Sequence, residues 1–324
     1  MAYKFHKYAE LTWSYSRAKM LSECERKYFF HYYGANNGWN SFSSKEAQRL
    51  YRLKNLKPMN ALFGEVFHKT VQYAIMNYNS ESISPAKFKE KLYKDLASKY
   101  RESLYCYKDW IRNPNKLTMV TELYYDHGLS AKQSEDIAMK IEKCSENIFN
   151  SKSFNEAVGG KVKVKEMEDL QHFQFQEIKA YVKLDSLLEI RGRDKWVVVD
   201  WKTSSKPLLE DEEQMLFYTY YVSKKYDVEP KKIESRLEYI LQDSLKVYNF
   251  SKKDFEFVEA KLSNDLKVMK TYLIDEEENI PKPEGTFKQK KSRVKCSRCN
   301  YKEVCYESEQ SMDSYNYKVV GIGK

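Results

Sequence analysis

At 324 residues and 38.7 kDa, the chain is long enough for one large α/β domain or two modest ones, with a core that needs no disulfide staples. Charged residues make up 32%, mean hydropathy is −0.76, and no apolar run approaches the ~18 residues of a spanning helix, which excludes a helical membrane protein. Lys and Arg (56) outnumber Asp and Glu (47) for a net charge of +9, and 27 tyrosines accompany the excess, so the composition tilts toward a nucleic-acid partner.

The opening MAYKFHKYAELTWSYS has no basic, apolar, small-residue succession, so no secretory signal is read there and a cytoplasmic location is expected. Residues 14–33 alternate apolar and basic side chains at helical spacing behind Ser14 and Ser16, with Cys24 inside this helix. Residues 34–59 are polar and read mostly as loop. Asn60 is placed to cap ALFGEVFHKTVQYAIMNY, whose Leu62, Phe63, Val66, Phe67, Val71, Ala74 and Ile75 form a buried stripe, with Gly64 and His68 sharing a face at i, i+4. The stretch from 84 to 150 is helical and poor in chemistry, broken by a loop at 113–115, and Gly159-Gly160 close it.

From 161 to 203 the period changes to that of strands: KVKVKEMEDL, QFQEIKAYVKLDSLLEI, a turn at Arg191–Asp194, then KWVVVDWKTS, whose WVVV is apolar on both faces and reads as a central strand. A helix follows over 206–225, with Pro207 in its first turn and Glu210, Asp211, Glu212 and Glu213 at its positive end. Residues 237–242 and 246–251 read as a strand pair, DFEFVEAKLSNDLKVMKTYL as an amphipathic helix, and PKPEG as the linker into a cysteine-bearing tail.

Chemistry concentrates at two places. In a strand, alternate residues share a face, so Asp200 and Lys202 point together and Trp201 points away. Pairing through the 191–194 turn brings Asp185 close to Asp200, and two carboxylates at a strand end can hold a hard divalent cation such as Mg²⁺ beside the lysine. A surface ion pair explains D-x-K equally cheaply, a hydrogen-bonded core histidine explains His68, and a polar helix edge explains Gln214 with Tyr218 at i, i+4. The second place is Cys296, Cys299 and Cys305, a C-x2-C-x5-C run in a basic tail where buried apolar thiols would be odd. They read as metal ligands, and spacing leaves the fourth open among Cys24, Cys106 and Cys144.

Taken in order, G-x-x-x-H, D, D-x-K-T, Q-x-x-x-Y, and a cysteine near the start with C-x2-C-x5-C near the end resemble the PD-(D/E)XK nuclease superfamily. The likeness is to its RecB-like branch with a four-cysteine iron–sulfur cluster, which includes the AddB nuclease domain and the CRISPR-adaptation nucleases. It runs from Ser14 to Cys305 and skips roughly 80–160. It implies an α/β fold: a restriction-endonuclease-like core, central mixed sheet flanked by helices, forming a single nuclease domain over 1–324. A helical insertion at 80–160 and a cysteine segment at 286–306 joined to Cys24 complete it. By the same likeness His68, Asp185 and Asp200 are metal ligands for Mg²⁺ or Mn²⁺, Lys202 is the catalytic lysine, and Gln214 and Tyr218 contact substrate or steady the lysine. Glu166 or Glu168 fills a further acidic position. Cys24, Cys296, Cys299 and Cys305 hold a [4Fe-4S] cluster, with structural Zn²⁺ as the alternative, and Arg26, Lys27 and Tyr28 match a basic-aromatic stretch. One departure is Val182, where the family usually has glycine.

The implied activity is that of a metal-dependent deoxyribonuclease acting on single-stranded DNA or DNA ends, an exonuclease by preference. The alternative is a non-catalytic DNA-binding or scaffold module retaining the fold, stapled by zinc. No G-x-x-x-x-G-K-[ST] loop occurs, so unwinding would fall to a helicase or recombination and repair partner.

Overall fold

The structure, a computed structural model, describes residues 8–204, 207–208 and 210–307. In chain order the strands are β1 (Thr12–Ser14), β2 (Leu56–Lys57), β3 (Met119–Val120), β4 (Val162–Glu166), β5 (Leu170–Phe175), β6 (Ile178–Lys183), β7 (Ser186–Ile190), β8 (Trp196–Lys202), β9 (Ile233–Tyr239), β10 (Ser244–Tyr248), β11 (Leu273–Asp275) and β12 (Ile280–Pro281). The helices are α1 (Tyr15–Glu23), α2 (Glu25–Phe29), α3 (Lys45–Lys54), α4 (Met59–Asn77), α5 (Pro85–Tyr105), α6 (Tyr107–Arg112), α7 (Thr121–Asp126), α8 (Ala131–Asn147), α9 (Lys152–Val158), α10 (Glu210–Tyr226), α11 (Lys252–Lys270), α12 (Arg293–Ser297) and α13 (Lys302–Glu307).

WVVVDWK is buried on both faces up to its last residue, Lys202, and takes the middle place in the order β10-β9-β8-β7-β4. It runs antiparallel to β7 and parallel to β9, so the sheet is mixed. Val197, Val199 and Trp201 pack against α4 and the helices of 85–158, while Trp196 and Val198 pack against α10 and α11. Asp200 and Lys202 share the α10 side by strand parity, and the Trp201 indole on the other side donates to Ser151 Oγ at 3.2 Å. A smaller sheet, β1-β6-β5, leans on the first: β6 leads into β7 with only Leu184 and Asp185 between them. Asp185 therefore sits where one sheet passes into the other.

Several elements differ from the sequence expectation for identifiable reasons. The expected continuous helix over 14–33 breaks at Cys24, whose backbone is extended (φ −166°, ψ 111°), and its last turn, Phe30–Gly34, winds as a π-helix. The expected loop at 34–59 contains α3, capped by Ser44 Oγ accepting the Ala47 N–H and anchored by buried Leu50 and Leu53. Asn60 does not cap α4. The helix starts at Met59 behind Pro58, and the Glu122 carboxylate from α7 accepts the Met59 N–H at 3.0 and 3.2 Å. The helix expected over 206–225 is α10, beginning at Glu210 with Pro207 outside it; residues 206 and 209 lie outside the described set. The strand expected to run through 242 ends at Tyr239 in a short 3-10 turn, with Asp243 at φ +50°.

Candidate active site and cysteine cluster

His68 lies midway along α4, one turn after Gly64, on the face turned to the end of the sheet. Its Nδ1 is 3.0 Å from Glu168 Oε1 and 3.1 Å from Asp185 Oδ1. Asp185 is fixed from behind: the Trp201 N–H donates to its Oδ2 at 2.6 Å, extending the β7–β8 ladder one step past its last pair, Ser186 with Val199. The expectation that Asp185 faces Asp200 follows from this register.

Glu166 and Glu168 are placed in different surroundings. β4 carries an irregularity between Val164 and Glu166, and Glu168 adopts a left-handed backbone (φ +56°) with its N–H on Leu184 O at 3.0 Å. That conformation swings its carboxylate to His68, where Lys183 pairs with the second oxygen. Glu166 is buried elsewhere, accepting hydrogen bonds from the Tyr221 and Tyr226 hydroxyls at 2.7 and 2.6 Å and from Lys225 at 2.7 Å.

The ligand atoms of His68, Glu168 and Asp185 all lie within 4.8 Å of one another, and an imidazole nitrogen with two carboxylate oxygens is a donor set suited to Mn²⁺ or Mg²⁺. Asp200, 3% exposed, lies outside that set of three: its Oδ2 is 2.7 Å from Lys202 Nζ without hydrogen-bond alignment and has no other partner among the described residues, while its charge is felt together with those of Asp185 and His68. A buried carboxylate oxygen with spare coordinating capacity beside the triad fits a cation site.

The electrostatics agree. Burial opposes charge on His68, yet the Asp185 and Glu168 carboxylates outweigh it and raise the imidazole to about 10. Burial likewise opposes the Glu168 charge, and His68 and Lys183 overcome it, holding the carboxyl at about 2. Burial raises Asp200 to about 6 against the pull of Lys202. An imidazolium clasped by two carboxylates is the charge balance that a cation on the same three side chains would supply.

Lys202 is held from two sides, by Asp200 and by Gln214 Oε1, which accepts from its Nζ at 2.9 Å; Gln214 Nε2 in turn donates to the Tyr218 hydroxyl at 2.6 Å. The relay fixes which way the Gln214 amide points. At Gly64 an added Cβ would meet only Thr203 Oγ1, at 3.7 Å, so open space lies between α4 and the end of β8.

At the other pole, Cys24, Cys296, Cys299 and Cys305 line one cavity of about 160 Å³, together with Lys27, Tyr301 and Lys302. Cys144 is fully buried in the core and Cys106 lies between α5 and α6, so neither joins them. The Arg26 N–H donates to Lys288 O at 3.1 Å, and the Lys288 N–H to the Glu25 carboxylate at 2.8 Å, so the chain's two ends meet here by backbone as well. The Gln289 amide lies 3.2 Å from Cys305 Sγ and the Ser292 N–H 3.4 Å from Cys296 Sγ. Burial raises Cys299, and raises Cys305 to about 11. Tyr125 on α7 donates to Asn300 O at 2.6 Å, tying the 85–158 helices to the cysteine segment.

A mixed sheet with acids and a lysine at the end of its central strand, flanked on both faces by helices, defines a restriction-endonuclease-like α/β core. Residues 12–306 match the PD-(D/E)XK nuclease superfamily, and the chain belongs to that superfamily of nucleases. Comparison with curated proteins gives no match. Among the described residues no helix is long and apolar enough to cross a membrane.

Proposed function

We propose that the chain is a divalent-metal-dependent deoxyribonuclease that hydrolyses phosphodiester bonds of single-stranded DNA or DNA ends, as an exonuclease. The observation that carries this reading is the convergence of His68, Glu168 and Asp185 within 4.8 Å beside the Asp200–Lys202 pair. When bound, Mg²⁺ or Mn²⁺ supplies Lewis acidity toward the phosphodiester and toward a water. Within that frame His68, Glu168 and Asp185 would hold the cation, and Asp200 beside Lys202 would serve as a further carboxylate ligand. The Trp201 N–H keeps Asp185 in place, and Lys202 carries a fixed positive charge to orient the water or steady charge gathering on the phosphate. Gly64 leaves clearance for a nucleic-acid backbone to approach the cation. The preference for DNA ends rests on the family likeness of the motifs.

We assign the four cysteines to a structural [4Fe-4S] cluster. Thiolates around one zinc at ~2.3 Å stand about 3.8 Å apart. Among the described residues His68, Glu168 and Asp185 are the one set of three or more such ligand atoms within 4.8 Å, so the thiols are spread wider than a single zinc gathers them. The N–H groups directed at Cys296 and Cys305 are of the kind that stabilise cluster sulfurs.

The test is anaerobic purification followed by incubation with end-labelled single- and double-stranded DNA in Mg²⁺, Mn²⁺ or EDTA. Cation-dependent release of short products from labelled ends is expected. Intact DNA under every cation, with DNA binding retained, would replace the nuclease reading by the scaffold one.

The Lys202 relay yields a separate expectation. Gln214→Ala and Tyr218→Phe should keep Mn²⁺ affinity while cleaving ~10–100-fold more slowly, the usual loss for a partner that orients a working group. Calorimetric Mn²⁺ titration alongside rates checks both; unchanged rates in both variants would return the pair to a polar helix edge.

A further inference from the structure

Of the five tryptophans, Trp13, Trp110, Trp196 and Trp201 are buried, whereas Trp39 is 59% exposed. Three residues on, Phe42 is 96% exposed, so two large rings stand in water on one short loop between the π-helix and α3. The loop is built to hold them there. Ser43 Oγ donates to Asn37 O at 2.7 Å, and Gln48 Nε2 from α3 donates to Ser41 O at 3.1 Å and to Ser43 O at 2.8 Å. The Phe42 N–H donates to Asn40 Oδ1 at 3.0 Å, and Asn37 takes a left-handed backbone (φ +57°) that turns the chain. Gly38 lies so close on α3 that a Cβ there would overlap Ala47 O and Tyr51 Cβ. The Trp39 indole rests edge-on against the Tyr51 ring, centroids 5.6 Å apart, which fixes it while more than half of it stays in water.

Rings held rigidly in water gain nothing from the fold around them, and their surroundings point to one kind of partner. A protein-docking patch is contiguous and apolar, whereas these rings stand in a run of Asn36, Asn37, Asn40, Ser41, Ser43 and Ser44, each offering a separate flat face. The charge around them is positive. From 34 to 54 there are four cations, Lys45, Arg49, Arg52 and Lys54, and one acid, Glu46. Arg49 pairs with Glu303 on α13 at 2.7 Å, which sets the loop and α3 against the cysteine segment. That segment has seven cations and no acid from 285 to 302, and its Arg293 and Arg298 are exposed and form no ion pair among the described residues. Flat faces beside a positive excess match the bases and phosphates of an unpaired strand. A duplex hides the faces of its bases against one another, and a single strand offers them.

We propose that Trp39 and Phe42 form a base-stacking platform that holds unpaired bases of single-stranded DNA, with the neighbouring cations meeting its phosphates. The proposal rests on the deoxyribonuclease reading, and its test separates the two. In EDTA, which prevents cleavage, binding of fluorescein-labelled dT12 and of an abasic strand with the same number of phosphates is followed by anisotropy between about 50 and 200 mM salt. The wild type should prefer dT12 by about 5-fold or more for each stacked base. Trp39→Ala should lose that preference for one base and keep both its affinity for the abasic strand and its salt slope, because the phosphate contacts remain. Trp39→Phe should retain most of the preference. Acrylamide quenching of tryptophan emission reports chiefly Trp39, the other four being buried, and saturating dT12 should suppress it. Wild-type affinity for dT12 in both Trp39→Ala and Phe42→Ala would overturn the platform while leaving the nuclease reading standing. If those variants also sediment as a smaller species, the rings belong instead to a contact with a second copy of the chain. Failure of the wild-type protein to bind either strand would overturn both.

Discussion

Lys202→Ala is expected to reduce cleavage by ~10²–10³-fold, the cost of removing one preorganised charge from a site where negative charge develops. The protein should nonetheless fold, because Lys202 is the last residue of β8 and only partly buried, so its loss leaves the strand's packing intact. Asp185→Ala should be at least as damaging by a different route. It removes a carboxylate from the set with His68 and Glu168 and also leaves the Trp201 N–H without its acceptor in a buried place. Asp185→Asn separates the effects, since the amide oxygen still accepts that N–H while the negative charge is gone. Mn²⁺ affinity should fall in both variants and melting temperature mainly in Asp185→Ala. Asp200→Ala should lose cleavage as well, with Lys202 deprived of the partner that holds it at 2.7 Å. Wild-type cleavage in Asp200→Ala would sink the assignment of this site.

That some of these residues can be read from their spacing and others cannot has a physical basis. Asp200 and Lys202 sit in a strand with buried faces, where a period of two leaves no freedom, so their common direction could be read from WVVVDWK alone. Asp185 followed from the register of a short antiparallel connection, and Gln214 with Tyr218 from helical geometry; their hydrogen bond at 2.6 Å is the i, i+4 contact that spacing allows. Glu168 obeys no such rule. Strand parity puts Glu166 and Glu168 on one face, and a break in the strand with a left-handed residue undoes it. Lys183 was equally hidden, being placed by the passage of β6 from one sheet toward the other. The start of α4 was misplaced because its cap comes from Glu122, 63 residues away, and no local pattern records that. α3 was missed because its apolar stripe is only Leu50 and Leu53 amid polar residues, too narrow to rise above a loop-like composition.

The cysteines provide the second large effect. Protein prepared without oxygen should be brown, with about four irons per chain, and Cys24→Ala, Cys296→Ala, Cys299→Ala and Cys305→Ala should each bleach the broad visible absorption. Each should also destabilise the fold severely, because Cys24 and Cys296 stand 272 positions apart and a shared centre restrains the unfolded chain across that distance. Loop closure alone puts this restraint on the order of 5 kcal/mol for a cross-link over so long a loop. The hydrogen bonds from Arg26 and Lys288 that join the same ends are too few to replace it. Cys106→Ala should leave colour and stability alone, as the residue lies between α5 and α6 away from the cavity. Cys144→Ala should keep its colour and yet lose about 1 kcal/mol, since that side chain is fully buried in the core and its removal leaves a small void. Colour and stability thus separate the six cysteines into ligands, a packing residue and a bystander. Bleaching by Cys144→Ala or Cys106→Ala would show that the ligand set is wrong, and a colourless protein holding one zinc would keep the clamp but overturn the cluster.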